Sequence, residues 1–217
     1  MKPRRILISA LTTLIIGLLS AAEAQPIPSS AVICYLVGRI YFDNKGNAEV
    51  AGYFSDINGI GASDSLFNGT PSETTAFFTF HTTVSISSLP NNGDITPLLG
   101  SAGLYDIYYN PTPKGDWSNP GSFASGQLIA HFSRPELLLI QFDSFSFSQH
   151  TVTETLLYSQ DFVFKGHRHN FKELTPGGIT LTNFISNTPV SPAVGFAFVV
   201  PYAGNGVAVA SREEGEQ

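Results

Sequence analysis

The residues of this chain best suited to hold a metal ion lie in one short stretch, Gly166-His167-Arg168-His169-Asn170-Phe171-Lys172-Glu173. On an extended backbone successive side chains alternate between faces, so His167 and His169 project to the same side. Glu173 follows with a carboxylate. Imidazole nitrogens and a carboxylate are the donors a divalent metal takes, and a metal-dependent enzyme built on His167, His169 and Glu173 is one expectation. The plain alternative is an exposed polar turn before Pro176. His81, His131 and His150 sit on or beside alternating runs. His81 and His131 would join the pair only if runs 75–86 and 127–132 were neighbours; otherwise all three are expected to be solvated or hydrogen-bonded.

A second constellation is aromatic. Tyr105, Tyr108 and Tyr109 precede a proline-rich loop, 110–126, that carries Lys114, Asp116 and the only tryptophan, Trp117. Proline lowers the entropy lost when a loop is fixed, and an amphipathic ring on a stiff loop can hold a sugar face or another protein. Tyr108, Tyr109 and Trp117 are therefore candidate ligand-binding residues. The competing reading is that Trp117 folds back and pins the loop. Nucleophile and phosphate-cradle motifs are absent: there is no Gly-x-Ser-x-Gly, and no glycine-rich turn joins a strand to a helix. Carboxylate pairs are set by distance in space, so Glu73, Glu136, Glu154 and Asp161 remain possible members of one.

The spacing of His167, His169 and Glu173 resembles the first motif of the cupins, which are double-stranded β jelly rolls. The resemblance covers those three residues. The chain departs from the cupin pattern in lacking any histidine after His169 and in placing Gly166 directly against His167. Membership is not assigned.

These side chains must be positioned by strands. From Thr75 to Ile86, Ala76, Phe78, Phe80, Thr82, Val84 and Ile86 take one side and Phe77, Thr79, His81, Thr83 and Ser85 the other. Period two with aromatic and β-branched residues predicts a strand with one buried face. Similar runs occupy 33–42, 48–54, 104–109, 127–132, 136–142, 151–159, 161–165, 179–185, 193–200 and 206–210. Turn formers separate them: Asp43-Asn44-Lys45-Gly46-Asn47, Asn58-Gly59, Asn91-Asn92-Gly93-Asp94, Pro176-Gly177-Gly178 and Gly204-Asn205-Gly206. The first is expected to close a hairpin. Phe142 and Phe145 break the alternation, which predicts a bulge at 143–144 or a strand boundary. The fold class is all-β: one antiparallel sandwich or barrel of about ten short strands. The 17 phenylalanines would fill its interior or line a ligand cavity.

The chain begins with Lys2, Arg4 and Arg5, runs apolar from Ile6 to about Leu19, and reaches Ala22-Glu23-Ala24. That order predicts a secretory leader cleaved after Ala24, since the apolar run is shorter than the roughly 20 residues a bilayer span needs. Residues 25–210 would form one β domain and 211–217 a polar tail that frays. Without residues 1–24, eight basic side chains face 16 acidic ones, a net charge of −8. Such a surface disfavours nucleic acid, and no membrane span is expected after processing. Cys34 is the single cysteine, so no intrachain disulfide forms, and it reads as a small buried apolar residue. Asn68-Gly69-Thr70 is a glycosylation sequon if the source is eukaryotic. The leading expectation is an exported, non-enzymatic binding or surface-interaction module, periplasmic or extracellular, with no cofactor. Carbohydrate, lipid or another exported protein would be its partner. The metal enzyme is the alternative, and a structural envelope or matrix component is a third.

Overall fold

A computed structural model describes residues 27–61, 65–142, 147–191 and 194–210. The expected leader, the expected bulge at 143–144 and the polar tail lie outside them. Alternation becomes β1 (Val32–Phe42), β2 (Asn47–Ile57), β3 (Phe78–Ser88), β4 (Ile95–Gly100), β5 (Gly103–Tyr109), β6 (Gln127–Arg134), β7 (Leu137–Phe142), β8 (Phe147–Ser159), β9 (Phe162–Phe164), β10 (His167–His169), β11 (Ile179–Ser186) and β12 (Phe198–Ala208). One helical turn, α1 (Phe171–Leu174), precedes β11, and a 3-10 turn occupies Pro120–Ala124. The β1–β2 hairpin forms at the predicted cluster. The Asp43 carboxylate accepts from the backbone N–H groups of Lys45 and Asn47 at 2.7 and 2.9 Å, while Gly46 takes a φ of 83°.

Of sandwich and barrel, the barrel forms. Neighbours around the ring pair antiparallel, and β12 returns to β1. β4 and β5 lie end to end and act as one long strand between β3 and the similarly broken β6 and β7. β8 completes the circuit by pairing with β7, β6 and β11. The result is a closed ring of eight antiparallel strands with consecutive neighbours. That up-and-down order differs from the jelly roll a cupin would have. Closure satisfies the main-chain hydrogen bonds of every ring member through its neighbours, so no stapling bond is needed.

Even-numbered residues of β1, β3 and β12, and of β8 as far as Leu156, face inward. One end of the lumen is filled by rings: Phe54, Phe78, Phe80 and Phe132 are buried, and the segment between β8 and β11 lays Phe162, Phe164, Phe171 and Leu174 across it. Each fully buried phenylalanine contributes roughly 2–3 kcal/mol, so this plug is a major share of the core. Two glycines make the filling possible. Gly38 and Gly52 are paired on β1 and β2, and a Cβ at either would strike Tyr202 or Phe80.

Two expected elements come out differently. Runs 193–200 and 206–210 are not separate strands, because β12 passes straight through Gly204-Asn205-Gly206. These glycines answer a packing need there: a Cβ at Gly204 would overlap Asn183 Oδ1 and the Thr182 carbonyl, and one at Gly206 would press on Cys34 Sγ. β4 went unpredicted, since Ile95-Thr96-Pro97-Leu98-Leu99-Gly100 carries no clean alternation.

Candidate functional site

The arrangement with chemical potential lies inside the barrel. Inward positions of β5, β6, β8, β11 and β12 bring Tyr105, Arg134, His150, Glu154, Asn183 and Tyr202 around one cavity of about 50 Å³. Aliphatic side chains such as Val50, Val84, Val152 and Leu181 form the rest of its wall. Phe80 stacks on Tyr105 with ring centroids 5.3 Å apart and lies 6.3 Å from Tyr202, making an aromatic floor. Towards the opposite end a second cavity of about 210 Å³ is lined by Phe42, Leu98, Ile185, Phe198 and Val200. Ile40 and Leu139 line both cavities. The Phe42 and Phe198 rings stack 4.4 Å apart, and Phe198 is exposed, so this end meets solvent.

The polar groups are deeply buried and poorly satisfied. Glu154 is 0 % exposed, and Arg134 and Asn183 are 3 % exposed. Arg134 donates from Nη1 to the Ser101 carbonyl at 2.6 Å and from Nη2 to the Thr83 carbonyl at 3.0 Å. It thereby bridges the break between β4 and β5. Asn183 Nδ2 donates to His150 Nε2 at 3.0 Å. Yet Tyr105 Oη, Arg134 Nε, His150 Nδ1, both Glu154 carboxyl oxygens and Asn183 Oδ1 have no hydrogen-bond partner. Buried polar atoms are nearly always paired, and leaving one unpaired costs about 1–3 kcal/mol. Six such atoms around one cavity are a concentration that packing alone does not require. Burial pushes the Glu154 carboxyl up to about 8 despite the opposing pull of Arg134, and burial with the Arg134 charge pushes His150 down to about 4. Both side chains are therefore held neutral near pH 7.

No family model, curated protein or solved structure matches this chain. The interior geometry is therefore what carries a functional reading.

Of the residues singled out from sequence, Tyr105, His150 and Glu154 line this cavity and the others fall elsewhere. His167 and His169 lie on the β9–β10 hairpin across the plugged end, closed by Lys165 and Gly166 with φ of 50° and 86°, the positive pair that a tight two-residue hairpin turn requires. Their ring centroids are 6.5 Å apart, and His169 stacks on Phe162. Glu173 accepts from Arg168 Nη2 at 2.6 Å, while Asp161 takes Nη1 of the same guanidinium at 2.8 Å. Among the described residues no group of three or more His, Cys, Asp or Glu side chains is placed to hold a metal ion. His81 and His131 are not on neighbouring strands, since β5 runs between β3 and β6. They face outward, His81 against Glu49 at 3.3 Å and His131 against Asp106 at 2.5 Å.

Trp117 lies on the outside of the barrel, over β1 and β2. The Arg39 guanidinium sits 4.7 Å from its ring centroid, Phe123 and Tyr53 pack against it in tilted geometry, and Tyr41 Oη donates to its carbonyl at 2.9 Å. Tyr108 and Tyr109 point to opposite faces: Tyr108 Oη donates outward to Asp106, and Tyr109 stacks inward on Phe78. Glu136 is exposed at the break between β6 and β7, and Glu73 lies half-buried before β3. Cys34 is buried, and burial raises its thiol to about 12, so it is held as the unreactive thiol. Asn68 is exposed. Glu154 alone of the four carboxylates reaches the lumen. Arg134, Asn183 and Tyr202 carried no local motif, because a barrel lumen draws one residue from each of several distant strands.

Proposed function

We propose that the protein is an exported, non-enzymatic binding module that holds one small amphipathic molecule in its barrel. The observation that supports this reading is the set of six unpartnered polar atoms on five side chains around a single interior cavity. An eight-stranded barrel has an interior just wide enough either to be filled by side chains or to hold one small ligand. Here one end is filled by rings and the rest is not. The cavity beside the polar cluster has room for roughly three waters, and its neighbour at the open end extends the space along an apolar path. A ligand with a polar head and an apolar body matches that gradient, and its head supplies the hydrogen bonds the wall lacks.

The two residues common to both cavities provide the test. A set of small amphiphiles is titrated calorimetrically into the wild-type protein and into Leu139→Trp and Ile40→Phe, each checked for a folded β spectrum. Binding to the wild type that is lost in both folded variants is the expected result. Undiminished binding in the variants, or no binding to the wild type at all, would sink the reading.

A further inference from the structure

We propose that the molecule held in the barrel carries a carboxylate, bound among Arg134, Tyr105, His150 and Glu154 with an apolar tail towards Phe42 and Phe198; this rests on the reading of the lumen as a binding site. The first reason is charge. Arg134 is a permanent cation almost wholly removed from water. Its Nη atoms serve neutral carbonyls, and no carboxylate among the described residues lies within ion-pair distance of it. A buried charge without a counter-charge is costly, and what would relieve it is an anion.

The second reason is the kind of hydrogen-bonding atom left over. Because Asn183 Nδ2 donates to His150 Nε2, the neutral ring carries its proton on Nδ1, which is therefore a donor. Arg134 Nε and Tyr105 Oη are donors as well. Glu154, held protonated near pH 7 by burial, offers an O–H. These four unpartnered donors outnumber the two acceptor oxygens left, Asn183 Oδ1 and the carbonyl oxygen of Glu154. A carboxylate has about four lone-pair sites on two oxygens and accepts without donating. An alcohol would answer one or two of these donors and leave the charge, and an ammonium head would be repelled by Arg134.

The third reason is shape. From Glu154 to Ser148 at the mouth, β8 covers about 20 Å at the usual rise per residue, so a short chain can lie between head site and opening. The six atoms are themselves closed to water. Binding therefore requires the Tyr105 and Glu154 side chains to turn towards the cavity when the carboxylate enters.

Octanoate, octan-1-ol and octylamine are titrated calorimetrically into the full-length processed protein at pH 7. The expected result is one octanoate per chain, bound at least about tenfold more tightly than the alcohol, with the amine weakest. Tyr105→Phe and Glu154→Met, each of which removes one unpartnered donor and no hydrogen bond that the wall makes, are expected to weaken octanoate by at least about threefold and leave octanol within twofold. Equal binding of alcohol and acid, or preference for the amine, overturns the carboxylate assignment while the lumen reading stands. Octanoate binding that survives Leu139→Trp puts the site outside the barrel and overturns both.

Discussion

Glu154 is buried so deeply that the cost of removing its charge from water outweighs the attraction of Arg134, and this has a measurable consequence. Facing it are Arg134 from β6, His150 from β8 itself, Tyr105 from β5, Tyr202 from β12 and, further off, Cys34 from β1. In the unfolded chain the carboxyl ionises near its ordinary 4.5; in the folded chain it keeps its proton to about 8. The folded state therefore binds more protons than the unfolded state between those values, and stability falls as pH rises across that window. His150 acts in the opposite sense. Its folded value of about 4 lies below the ordinary 6.5, so its contribution is present above 6.5 and is lost as pH falls towards 4. The two slopes oppose one another below pH 6.5 and leave Glu154 alone above it. Unfolding free energy from urea titrations is expected to drop by about 1 kcal/mol between pH 6.5 and 8. In Glu154→Gln that drop disappears and the rise between pH 4 and 6.5 becomes visible. A wild-type profile flat from pH 6.5 to 8 would contradict the burial of a protonated Glu154.

β12 shows how one strand couples the ring to its interior. It pairs with β1 on one side and β11 on the other, and it carries Val200, Tyr202, Gly204 and Gly206 inward. Tyr202 fits only because Gly38 stands opposite, and Asn183 reaches His150 only because Gly204 leaves room. Gly204→Ala is expected to cost about 3 kcal/mol, since its methyl would meet a backbone carbonyl that cannot yield and an amide that holds His150. Urea unfolding of the variant measures this, and a loss within experimental error would show that β11 can shift. From the sequence, Gly204-Asn205-Gly206 has the composition of a turn, and nothing local separates a glycine chosen for positive φ from one chosen for close approach. Asp43 to Asn47 reads correctly because its signal is local: an Asp side chain caps its own turn.

Closure of the ring governs the behaviour of the whole molecule. Among the described residues, the eight-membered circuit has each member paired on both sides, and the free strand edges belong to the three-residue β9–β10 hairpin. Assembly by edge pairing, which a structural envelope or matrix component would use, is thus offered very little template. Sedimentation velocity is expected to show one species with no concentration dependence over about a hundredfold range; reversible association that stops when the 162–169 hairpin is disrupted would reverse that conclusion. The all-β character, the first hairpin and the absence of long helix among the described residues follow from side-chain period and turn chemistry, which are properties of neighbouring residues. The lumen is another matter. The run His150-Thr151-Val152-Thr153-Glu154-Thr155 shows plainly that His150, Val152 and Glu154 share a face, yet both faces carry polar groups, so hydrophobicity cannot say which one turns inward. That choice came from the pairing of β8 with β6, β7 and β11, where Thr151 and Thr153 bond outward to Thr182 and Thr180 and leave Glu154 to the interior. Contacts between residues far apart along the chain made the site, and a local pattern holds no record of them.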